Sequence, residues 1–311
     1  MFGRIQSIAV DKRGGIYVAD SHAPFVRVWS AAGNLRASVG QEGFGPGEYQ
    51  FILDIFSTGD GGFSTVDRRL RRWTFYGAGG ELAGSTVLDG PISKAAFSAS
   101  ERALYLAIRT GRAAGSCPVT EIHRWAMGEG AERTLVARIS DAPVGRFSGC
   151  PVAVSNFDAA PSGGFAVAFG REEYLLRAFD TSGELHAQTV HDVPRVPLSE
   201  EELEAERGRL ARIAGGVATE PDPYRNHFMG GSLRYDSAGR AWIRTERGGD
   251  GNTVFDVFAA DATYLGEVSI PMIVKSPGAA FDVAGDFLVT VHLDDESATE
   301  FVTIWQVSWD E

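Results

Sequence analysis

Short apolar runs alternate along this chain with turns rich in Gly, Asp, Asn and Ser. The first unit reads Ile5 to Val10, a turn at Asp11-Lys12-Arg13-Gly14-Gly15, Ile16 to Asp20, Phe25 to Trp29, a turn ending Gly33-Asn34, and Leu35 to Val39. That is four short strands joined by hairpin chemistry. The same order recurs, with a large aromatic placed at the end of each third strand: Trp29, Trp73, Trp125, Phe179, Phe258 and Trp305. Second strands align as IYVAD, FSTVD, LYLAI, FAVAF, AWIRT and FLVTV, each preceded by a Gly- or Ser-rich turn. Repeating units of roughly 40 to 50 residues with four strands each are the pattern of propeller blades, since one blade cannot bury both of its faces and a ring of blades can. The chain is therefore expected to be all-β, a single six-bladed β-propeller of four-stranded antiparallel blades spanning 1–311. The blades fall near 5–40, 50–88, 91–140, 150–192, 228–270 and 278–309, with a helical insertion at 195–222 between blades four and five.

The insertion opens on Leu198-Ser199-Glu200-Glu201-Glu202-Leu203. Ser199 is placed to cap a helix, Glu202 to complete the capping box three residues on, and Leu198 to staple against Leu203. The helix is expected to run to about Ala214 and to end at Gly215-Gly216, with Leu203, Leu210 and Ile213 forming a narrow apolar stripe that docks on the ring.

The stretch GQEGFGPGEY at 40–49, flanked by IAVDKRGGIYVAD and VRVWSAAGNLRASVG, resembles the NHL-repeat propellers, and more closely a bacterial six-bladed group with a GxGPGEF-like linker and a helical insertion after the fourth blade. The resemblance covers essentially the whole chain and is sharpest over 5–50. It implies the fold and says little about chemistry, because its motifs are turn motifs. Propellers related to NHL repeats include amidating lyases, whose metal-binding histidines begin several innermost strands. The corresponding positions here are Gln6 and Gly231, neither of them a zinc ligand. The Glu, Asn and Asp set of gluconolactonase-like propellers is not found in register either. The favoured reading is thus a non-catalytic binding or scaffolding module, leaning away from an enzyme, that receives a small molecule or a peptide at the channel mouth. The alternative is a metal-dependent propeller lyase or hydrolase.

Charge narrows the partners. With 29 basic and 41 acidic residues in 311, the formal net charge is −12, and no concentrated basic stripe offers a nucleic-acid surface. No apolar run approaches the roughly 20 residues of a membrane-spanning helix. A monomer binding a small molecule, peptide or protein is expected. The sixth unit stops without a fourth strand, and two readings stand: a closing strand outside this chain, accompanied by a secretion signal, or a three-stranded last blade. The N-terminal run is no signal peptide, because Lys12 and Arg13 interrupt it. Cys117 and Cys150 both fall on the face where the blade-to-blade links emerge, here called the top. Paired as a disulfide they imply a periplasmic or extracellular protein, and as two unrelated thiols they imply nothing.

Candidate chemistry is sparse. His22, His227 and His292 all map to the top face of neighbouring blades and could hold a divalent metal with Asp20, Asp294 or Asp295, although surface histidines lacking HxH or HxxxH spacing are more often simply solvated. No cofactor beyond such a metal is implied. Ser199 and Ser232 sit in no nucleophile elbow. Gly230-Gly231-Ser232 and Gly248 to Gly251 open strands or hairpins rather than helices, so they build no phosphate cradle. Arg68, Arg69, Arg71 and Arg72, the one basic cluster, are expected to pair with neighbouring carboxylates. The longest top connections, Arg109 to Val119 and His191 to His227, place Tyr224, Arg225, His227, Arg109 and Arg171 as aromatic and cationic contacts for a ligand beside the insertion.

Overall fold

The computed structural model describes residues 2–110, 117–127, 132–141, 154, 156–213, 220–249, 251–274, 280–294 and 296–308. Six antiparallel sheets stand around a central channel. The first contains β1 (Ile5–Val10), β2 (Ile16–Asp20), β3 (Val26–Trp29) and β4 (Leu35–Val39). A short parallel pair, β5 (Gln41–Glu42) and β6 (Glu48–Tyr49), occupies the link to the second blade. That blade holds β7 (Ile52–Ser57), β8 (Phe63–Asp67), β9 (Arg72–Tyr76) and β10 (Leu82–Val87), and the third holds β11 (Lys94–Ser98), β12 (Ala103–Thr110), β13 (Val119–Ala126) and β14 (Arg133–Ile139). The fourth is β15 (Asn156–Ala159), β16 (Phe165–Phe169), β17 (Leu175–Phe179) and β18 (Leu185–Val190). After the helix α1 (Glu200–Ile213) come β19 (Leu233–Tyr235), β20 (Ala241–Arg244), β21 (Thr253–Phe258) and β22 (Tyr264–Ile270). Among the described residues the sixth sheet has three strands, β23 (Phe281–Ala284), β24 (Phe287–Asp294) and β25 (Thr299–Gln306).

The innermost strands β1, β7, β11, β15, β19 and β23 touch in that order, and β23 returns to touch β1, so the ring is closed. The core lies in the wedges between blades. Ala9, Tyr17 and Val28 pack on Ile55, Phe63 and Tyr76 between blades one and two, and Tyr105 and Ile122 on Phe157 and Phe165 between blades three and four. One larger cluster joins the fifth, sixth and first blades through Trp242, Phe255, Phe281, Val289, Ile8 and Val18. Every residue of β2, β8 and β16 is buried, as expected of strands covered on both faces.

Turn chemistry shapes the hairpins. At the first, the Asp11 carboxylate accepts the amides of Arg13 and Gly15 while Gly14 takes φ 75°, a conformation that glycine adopts without strain. Asp236 does the same for Ala238 and Arg240 in the fifth blade. Gly183 meets a second constraint: a Cβ there would lie 1.8 Å from the Val136 carbonyl oxygen of the adjacent blade.

Three of the aromatics depart from the expected strand end: Trp125 and Trp305 stand one residue before the ends of β13 and β25, and the third departs further. Trp73 is the second residue of β9, and Tyr76 pairs with Phe63 at the strand end, as Trp29 pairs with Ile16 and Phe179 with Phe165. RWTFY offers aromatics on both faces of one strand, so spacing alone selects the wrong one. Trp73 is instead buried in the wedge with blade three, beside Phe97. The arginine cluster also differs. Arg68 to Arg71 form the turn after β8, and the Arg72 guanidinium donates to the carbonyl oxygens of Phe44 and Gly45 rather than to a carboxylate.

Candidate functional site

The helix begins as its sequence requires. The Ser199 amide donates to Glu202 Oε2 at 2.8 Å, and the Glu202 amide donates to Ser199 Oγ at 3.2 Å, the reciprocal pair of a capping box. These bonds, with Arg225, hold the Glu202 carboxyl below the usual range. The apolar stripe is less decisive than its spacing implies. Leu203 and Leu210 are only partly buried, and the side chain of Ile213 lies outside the described residues, as do Gly215 and Gly216.

A strap of backbone and arginine bonds holds the helix. Residues 196–198 run antiparallel to 223–225: the Leu198 amide donates to the Pro223 carbonyl at 2.9 Å, the Arg225 amide to the Val196 carbonyl at 2.8 Å, and Pro197 bridges Tyr224. Arg195 closes the strap, donating to the carbonyl oxygens of Arg225 and Tyr224 at 3.0 and 2.9 Å, pairing with Asp222 at 3.0 Å and lying 5.3 Å from the Tyr224 ring centroid. Arg225 reaches forward to Glu202 Oε1 at 2.6 Å. The helix is thereby tied at its base and leaves a cleft of about 950 Å³ between itself and the top of blades four and five.

Phe169, Phe228, Leu198, Leu210 and Met229 supply the apolar lining of the cleft. Its charges are largely engaged with one another, Arg209 with Glu206 and Arg225 with Glu202. Pairing charges at a rim leaves shape and apolar contact to select an occupant.

Three of the five ligand contacts expected from sequence, Arg171, Tyr224 and Arg225, line this cleft. His227 is buried beneath it, its amide donating to the Gly170 carbonyl at 2.6 Å and its ring 5.4 Å from that of Tyr174. Burial, with Arg195 and Arg247 nearby, lowers its pKa to about 4, so the ring is neutral at pH 7. Arg109 is exposed on β12 of the third blade, outside the cleft lining. Sequence reasoning missed Phe228, Met229, Asn156 and Glu246, which the chain brings to the cleft from the strap and from blades four and five.

The three histidines named as metal ligands have separate surroundings. His22 is exposed, with Nδ1 2.8 Å from Ser21 Oγ, whereas His292 is buried between Thr290 Oγ1 at 2.6 Å and the Ile273 carbonyl at 2.8 Å. Asp20 accepts the amides of Gly3, Arg4 and His22 and pairs with Arg27, and Asp294 accepts those of Glu296 and Ser297. Asp295 lies outside the described residues. Among the described residues, no group of three or more His, Cys, Asp or Glu side chains is placed to hold a metal ion. Cys117 carries no free thiol, and Cys150 lies outside the described residues.

No protein-family model matches the sequence, and no curated protein matches it. Solved structures do. A member of the DUF4221 family from Bacteroides vulgatus is 10% identical, with 99% of this chain and 94% of that chain covered at a TM-score of 0.52. A protein of Bacteroides fragilis inferred to be exported is 11% identical, with 94% and 80% covered at a TM-score of 0.56. At these identities the likeness shows the propeller fold alone. No helix among the described residues is long and apolar enough to cross a membrane.

Proposed function

We propose that this protein is a non-catalytic binding propeller of NHL-repeat type whose helix-roofed cleft receives a short peptide segment. The observation that carries the reading is the strap: the chain uses Arg195, Arg225 and Asp222 to hold a helix over the top face with a space of about 950 Å³ beneath it. A helix that only covered the rim would close onto the blades through Leu203 and Leu210. Cavities of roughly 300–1,000 Å³ with apolar walls and a few fixed polar groups suit ligands of this size. Tyr224, 46% exposed at the cleft edge, is the aromatic anchor for an occupant, flanked by Arg225 and Arg171.

The test is selection of twelve-residue peptides from a random displayed library on the full chain. Peptides recovered should lose at least tenfold in affinity for a variant carrying Leu210→Trp and Met229→Trp, which fills the cleft. Peptides that bind both proteins equally would overturn the reading. Export is part of the same proposal, through a Cys117–Cys150 disulfide, and two free thiols titrated in unreduced, denatured protein would remove it.

A further inference from the structure

Inside the channel the inner strands carry a pattern of charge, and three of its members, Asp158, Arg234 and Asp282, line the mouth opposite the helix, with Asp54 one residue before the lining residue Ile55. Blades two to six each contribute one ionisable side chain to it: Asp54 from β7, Lys94 from β11, Asp158 from β15, Arg234 from β19 and Asp282 from β23. In ring order the sign alternates. Asp54 and Arg234 belong to blades two and five, opposite one another in a ring of six, and their approach to 3.8 Å places both on the channel axis. Lys94 lies 3.9 Å from Asp54, and Arg234 lies 4.0 Å from Asp282.

Blade one breaks the alternation. Ser7 occupies in β1 the register position that Asp54 occupies in β7, opposite Ala19 where Asp54 stands opposite Val66, each just after a bulge. Both flanking carboxylates nevertheless turn toward blade one. Asp54 Oδ1 accepts from Ser7 Oγ at 3.3 Å, and Asp282 Oδ2 accepts the Val10 amide at 2.7 Å. Lys12, from the turn after β1, is exposed at the outer lip and forms no ion pair among the described residues. Asp54 is 1% exposed, and its Oδ2 has no hydrogen-bond partner among the described residues. A buried carboxylate oxygen without a donor is costly, and a cation beside it relieves that cost.

We propose that the lower mouth of the central channel binds a small organic ligand through a primary ammonium group, which completes the alternating ring beside blade one between Asp282 and Asp54. The mouth is a cavity of about 480 Å³ whose wall includes Asp158, Arg234 and Asp282 together with Phe56, Phe97 and Tyr235. Aromatic walls suit the carbon skeleton of such a ligand and attract its charge. Lys94 and Arg234 stand between the three carboxylates, which therefore do not converge on one point as a divalent metal requires. Burial pushes the Asp282 carboxyl up to about 7 against the pull of Arg234, in keeping with a group short of positive charge. The site is independent of the top-face cleft.

The probe is n-butylammonium chloride titrated calorimetrically into the full chain at pH 8, with 1-butanol and sodium butyrate as neutral and anionic comparators. Butylammonium should bind at least tenfold more tightly than either. Ser7→Lys, which installs the missing charge, should weaken butylammonium at least tenfold with an undiminished melting temperature. Asp282→Asn, whose amide oxygen still accepts the Val10 amide, should weaken it too and serves where Ser7→Lys does not fold. Equal binding of butanol, unchanged affinity in both variants, or full displacement by an equal concentration of potassium would each overturn the proposal.

Discussion

The two ends of this ring handle charge in opposite ways. On the top face the charged groups meet in short bonds, Arg225 on Glu202 at 2.6 Å and Arg195 on Asp222 at 3.0 Å, and they fasten an added helix. In the channel the charges face one another at 3.8 to 4.0 Å, beyond hydrogen-bond reach, and their bonds go elsewhere: Asp282 and Asp158 accept backbone amides of neighbouring blades, Asp54 the Ser7 hydroxyl, and Arg234 donates to the Leu233 carbonyl. Position in the fold explains the difference. The insertion is free to adjust until its ion pairs close, whereas inner strands are fixed by sheet packing and their side chains stop where the blades leave them. The top is therefore suited to recognising shape, and the channel to recognising charge.

The sharpest way to break this contrast is to remove one cation from each end. Arg234→Met leaves the buried Asp54 and the partly buried Asp282 without their shared partner, and should cost about 3–5 kcal/mol in urea unfolding at pH 8. Arg209→Ala, which removes an exposed pair with Glu206, should cost less than about 1 kcal/mol. Equal losses would show that the channel charges are no more dependent on one another than surface ones.

A smaller effect should appear with pH. The Asp282 carboxyl has its folded pKa near 7, above the ordinary 3.8, because burial outweighs the pull of Arg234 and the Val10 amide while Asp158 adds repulsion. Between these values the folded state holds a proton that the unfolded state has released, so stability falls as pH rises from about 4 through 7. Asp282→Asn should thus be neutral near pH 4 and stabilising at pH 8 by up to about 4 kcal/mol. A variant no more stable than the parent at pH 8 would contradict the assignment.

The repeat was open to reading because hairpin chemistry is local: Asp11, Gly14 and the IYVAD strand carry their turn and their burial within a dozen residues. The helix cap was legible for the same reason, Ser199 and Glu202 being three residues apart. The cleft was not, because it depends on 196–198 meeting 223–225 across the insertion, which no spacing announces. The apolar stripe on the helix pointed to docking where the strap provides anchoring. The channel network stood in the sequence as one lone charge in five of the six short inner strands, a pattern that acquires meaning only when six strands are placed around one axis.

The strap can be weakened without touching the ring. Arg195→Ala removes the bonds to the Tyr224 and Arg225 carbonyls and to Asp222, and should raise amide exchange across 200–213 by at least tenfold. Exchange in β1, β7 and β19 should stay within twofold of the parent, and a parallel rise there would mean that the helix supports the propeller itself.

The central claim, that the space under the helix is a binding site, is tested most directly by methionine-methyl NMR. Met229 lines the cleft, while Met127 lies at the third blade beside Arg102. Addition of a library-selected peptide to the full chain should shift the Met229 methyl resonance in proportion to occupancy and leave Met127 in place. A saturating peptide that leaves Met229 unmoved would contradict the account.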